Sequence, residues 1–97
     1  MSGAASRLRR LLSNDVVREG LKLALEKERL AELKGEPPAW TMYEVGLGFL
    51  APMIVAEGVV VEVGWSERGP LYRLADRKLV EKVLREIEPP PPEPPVE

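Results

Sequence analysis

Ten prolines and eight glycines cut this 97-residue chain into short pieces. A proline has a fixed φ and no N–H, so neither a helix interior nor a central strand runs through it. Pro37-Pro38, Pro52, Pro70 and the run Pro89-Pro90-Pro91-Pro92-Glu93-Pro94-Pro95 therefore set boundaries. Gly35 and Gly69 sit beside two of them, and Gly58 follows the segment that Pro52 opens, where a chain stops or turns. What survives this punctuation is one small domain of short elements.

Ser13-Asn14-Asp15 offers N-cap oxygens, so a helix is predicted from about Asp15 to Lys34, closed by Gly35. Val16, Leu23 and Leu30 recur every seven residues, as do Val17, Ala24 and Ala31; with Leu21 they read as one wide apolar stripe opposite Arg18, Lys22, Glu26 and Arg29. Ala39-Trp40-Thr41 has room only for a β-bridge. Thr41-Met42-Tyr43-Glu44 reads as a capping box starting a short helix to about Leu50. A second short helix is predicted from Pro52 to Glu57. Val59–Trp65 is β-branched, with Val61, Val63 and Trp65 expected on one face. Ser66-Glu67-Arg68-Gly69 is a turn, Pro70–Leu74 returns as a second strand, and Asp76 caps a last helix with the stripe Leu79, Val80, Val83, Leu84 and Ile87.

The predicted fold class is α+β: helices packed on a two- to three-stranded β-hairpin wing, with a C-terminal helix. Residues 1–12 are expected to be a flexible basic arm or a short helix, 13–88 the domain, and 89–97 a Pro-rich disordered tail of extended type.

Composition excludes much chemistry. The chain has no cysteine and no histidine, which removes disulfides, thiolates and the commonest general base and metal ligand. Gly46-Leu47-Gly48 lacks the third glycine and the βαβ setting of a nucleotide loop. Glu26, Glu28 and Glu32, like Glu86 and Glu88, lie among Lys and Arg and read as solvated faces. No enzyme activity, cofactor, metal or small-molecule substrate is expected. The longest apolar run, Val45–Ala56, carries two glycines and a proline and is too short to span a bilayer, so no membrane contact and a cytoplasmic location are expected. The absence of Gln, a single Asn and abundant Glu, Lys and Arg are the pattern of a heat-adapted protein.

Formal net charge is −2, but it is unevenly spread. Residues 1–40 hold eight basic groups and 67–88 hold six, while 41–66 hold none. Helix, short bridge, helical pair, hairpin and helix, with Trp40-Thr41 before the pair, Glu57-Gly58-Val59-Val60-Val61 leading into the hairpin and Leu71-Tyr72-Arg73-Leu74 returning, resembles the winged helix-turn-helix family over residues 13–88. The resemblance implies a small DNA-binding, transcription-regulator-like protein on double-stranded DNA, with Arg68 at the wing tip, Arg73, Arg77 and Lys78 just beyond it, and Arg7, Arg9 and Arg10 as an arm, all on phosphates. The segment in the recognition position, Pro52–Glu57, has none of the Lys, Arg, Asn or Gln that read base edges. The alternative is therefore an adaptor of the same fold that binds a protein partner or a second copy, with Tyr43, Phe49 and Met53 as apolar anchors.

Overall fold

The structure, a computed structural model, describes residues 3–89. Among them the chain forms α1 (Gly3–Leu12), α2 (Asp15–Leu33), a 3-10 turn (Gly48–Leu50), α3 (Ala51–Ala56), β1 (Val60–Ser66), β2 (Gly69–Leu74) and α4 (Arg77–Ile87). This is an α+β domain: four helices on a two-stranded antiparallel hairpin, with a C-terminal helix, in the layout of a small winged-helix-like domain. The Pro-rich tail expected from residue 89 lies, from residue 90 on, outside the described residues.

Residues 3–12 are helical, and Leu8, Leu11 and Leu12 join the core against α2 and α4. The α1–α2 corner is held locally. Asn14 Oδ1 accepts from the amides of Val16 at 2.9 Å and Val17 at 3.2 Å, and the Arg18 guanidinium donates to the Leu12 carbonyl at 3.0 Å. At its other end α2 closes with Gly35 at φ +72°. The amides of Gly35 and Glu36 there donate to the carbonyls of Glu32 and Ala31, a cap that needs a left-handed residue.

The α2 stripe divides. Val17, Leu21, Ala24 and Leu25 are buried, whereas Val16, Leu23 and Leu30 are half exposed. Two parallel heptads predict one wide face, but the core takes the side centred between Val17 and Leu25. Glu28 corrects the expectation of a solvated face. It lies on the buried side with its carboxylate 2.9 Å from Trp40 Nε1 and 2.7 Å from the Leu74 amide.

The capping box forms but carries no helix. The Thr41 amide donates to Glu44 Oε2 at 2.7 Å and the Glu44 amide to Thr41 Oγ1 at 3.1 Å. The chain then turns through 42–46 and leaves at Gly46 with φ +75°, where a helix cannot continue. Trp40 bridges Tyr72 through both backbone hydrogen bonds, adding a one-residue third strand to the hairpin. In β1, Glu62 faces Tyr72 and Gly64 faces Leu71, so Val63 is the extra residue of a bulge. The strict alternation expected for Val61, Val63 and Trp65 ends there. All three are exposed.

Candidate interaction surface

Nine large apolar residues lie in 42–55, and the fold sorts them. Met42, Val45, Leu47 and Ile54 are buried and Leu50 is half-buried. Tyr43, Phe49, Met53 and Val55 point out, Tyr43 at 78% and Phe49 at 82% of full exposure. Each is placed by a buried neighbour. Tyr43 rides the capping-box turn beside buried Met42, Phe49 sits in the 3-10 turn after buried Leu47, and Met53 precedes Ile54 at the core. Trp65, near the hairpin tip, is 70% exposed. Three of the five aromatic side chains therefore stand in solvent, where each offers a large apolar area. The antiparallel bridge at Trp40 directs Thr41–Glu44 toward the tip end of β2. The charges of Lys27 and Arg68 reach Glu44 there. The Thr41 amide, more than those charges, holds the Glu44 carboxyl below its ordinary value.

The cations expected on phosphate divide among several places. Arg73, Arg77 and Lys78 line one cleft of about 280 Å³ with Glu28, Pro38 and Asp76. Arg77 is engaged inside it: its guanidinium makes two 2.7 Å hydrogen bonds to Glu32 and lies 3.8 Å from Glu28. That bidentate pair holds the Glu32 carboxyl below its ordinary value and raises Arg77. Arg73 and Lys78 have no carboxylate partner among the described residues. Arg7 and Arg10 flank a separate recess with Asn14, Met53 and Glu57. Arg9 is turned to α4, with its Nε 3.0 Å from Glu86. Arg68 stands exposed at the hairpin tip.

Among the described residues no three acidic side chains converge as metal ligands, and no helix is long and apolar enough to cross a membrane. The apolar excess of 42–55 singled out Tyr43, Phe49 and Met53, and all three are exposed; Val63 and Trp65, at and beyond the bulge, are exposed as well. No protein-family model matches this chain, and comparison with curated proteins and with solved structures finds no match.

Proposed function

We propose that this protein is a non-enzymatic protein–protein interaction module of winged-helix-like build, acting in the cytoplasm. Its partner sits against Tyr43, Phe49 and Met53. One observation carries the reading: the segment in the recognition position and its approach offer solvent Phe49, Tyr43, Met53 and Val55, and no cation. Duplex recognition needs guanidinium, ammonium or amide groups at that position. Apolar and aromatic anchors with few charges are instead what the centre of a protein interface contains.

The test has two arms. Phe49→Asp and Met53→Asp keep the far-UV spectrum and melting temperature of the parent, because both side chains already meet water. Each loses the protein that immobilised parent chain retains. Loss of the folded state in both variants would make these residues core and end the reading.

A second reading, a nucleic-acid-binding protein on double-stranded DNA, is favoured by the cleft shared by Arg73, Arg77 and Lys78. Anisotropy of a labelled generic duplex at two salt concentrations decides between them. Micromolar binding that collapses with salt, and weakens in Arg73→Ala/Lys78→Ala, would put this reading first. No binding at low salt is the outcome expected of the interaction module.

A further inference from the structure

Helix α2 is apolar on two sides. Val17, Leu21, Ala24 and Leu25 face the core. Val16, Leu23 and Leu30 form a second line, each 46–49% exposed. Seven-residue spacing keeps side chains on one line along a helix, the spacing by which helices of separate chains meet. A helix that serves only its own core has polar residues on its other side. The flanks of this line differ in sign: the 3.6-residue period puts Glu19 and Glu26 along one edge and Lys27 along the other.

We propose that the line Val16–Leu23–Leu30 is the contact with a second copy of this chain, the two α2 helices lying side by side and running in the same direction about a two-fold axis. A two-fold axis parallel to the helices turns the acidic edge of one copy toward the basic edge of the other, so Glu26 meets Lys27 of the second copy twice over. The antiparallel alternative sets Glu19 of one copy against Glu26 of the other, and like charges oppose it. Three half-exposed apolar side chains flanked by two ion pairs make a small contact, so a weak dimer with a dissociation constant of about tens of micromolar is expected. None of Tyr43, Phe49 and Met53 belongs to α2, so variants on the line test this contact separately from the partner face proposed above.

Sedimentation equilibrium of the full chain from about 1 to 500 μM tests it, a range that brackets the expected affinity. The mass should rise from 10.8 kDa toward twice that value. Leu23→Glu should remain monomeric throughout. Lys27→Glu should raise the dissociation constant about tenfold by turning two ion pairs into repulsions, and Glu26→Lys/Lys27→Glu should restore it. A parent chain that stays monomeric overturns the proposal, as does a Leu23→Glu chain that still dimerises. If Leu23→Glu fails to fold, the surface charge pair decides: failure of the swapped double variant to recover what Lys27→Glu loses overturns the side-by-side arrangement.

Discussion

Gly20 lies in the middle of α2, where alanine is the better helix former by about 1 kcal/mol. Packing reverses that preference. A Cβ built on Gly20 stands 2.5–2.7 Å from Cγ, Cδ1 and Cδ2 of Leu47, which is fully buried and has no solvent to retreat into. Overpacking of this kind costs about 1–3 kcal/mol. Gly20→Ala is thus expected to lower stability by about 1 kcal/mol net in urea denaturation, and the cost of Leu47→Ala should shrink in its presence. A neutral Gly20→Ala would show that Leu47 moves aside freely. Glu28 poses the complementary problem, a buried carboxylate instead of a missing atom. One of its oxygens accepts from both Trp40 Nε1 and the Leu74 amide, and the other faces Arg77 at 3.8 Å. Glu28→Ala orphans two donors, the Trp40 indole and the Leu74 amide, while Arg77 keeps Glu32, and should cost about 3–5 kcal/mol. Glu28→Gln keeps an accepting oxygen and should cost about half as much. Equal penalties in the two variants would mean that the cavity, not the hydrogen bonds, sets the cost. Neither residue announces its role in the sequence. Leu47, Trp40 and Leu74 are the groups that define them, and each comes from a distant stretch of chain.

At the scale of elements, the reciprocal bonds between Thr41 and Glu44 show how local chemistry and local structure separate. The box was legible from four residues, and its two hydrogen bonds form. The helix expected after it does not, because Gly46 takes φ +75° and the chain must dive to seat Leu47 on Gly20. The same logic explains the rest. α2, α4 and the hairpin were legible, since their caps, stripes and turn glycine are local; Asp76, for example, accepts from the Leu79 amide as its position predicts. The choice between two equivalent heptads on α2 was not, because only the placement of α1, α4 and β2 decides which one is buried. The box also yields a pH dependence. The carboxyl of Glu44 is held below its ordinary value of 4.5, chiefly by the Thr41 amide. A group depressed on folding stabilises above its unfolded pKa, and that contribution is lost as pH falls through the folded one. The penalty of Glu44→Ala, about 0.5–1 kcal/mol at pH 7 for an exposed cap, should therefore shrink in denaturation curves taken near pH 3. A penalty unchanged with pH would assign the effect to packing.

The whole molecule separates its two tryptophans, and that separation checks the architecture in one experiment. Trp40 has no exposed surface, with its ring centroid 6.2 Å from that of Tyr72 and its indole N–H held by Glu28. Trp65, 25 positions later, is 70% exposed near the hairpin tip. Residue type does not distinguish them. One is sealed by a bridge to β2 and by a carboxylate from α2, and the other lies beyond a bulge on a two-stranded ribbon with nothing packed over it. Acrylamide should therefore quench the folded chain in two components, one accessible and one nearly inert. Trp65→Phe should remove the accessible component, shift the remaining emission to the blue and leave stability within about 0.5 kcal/mol, as for other surface changes. Emission from Trp65→Phe that stays as quenchable as the parent would mean that water reaches Trp40. In that case Glu28, Tyr72 and the bridge do not close the core, and the outward placement of Tyr43 and Phe49, which hang from the turn that Trp40 anchors, would fall with it.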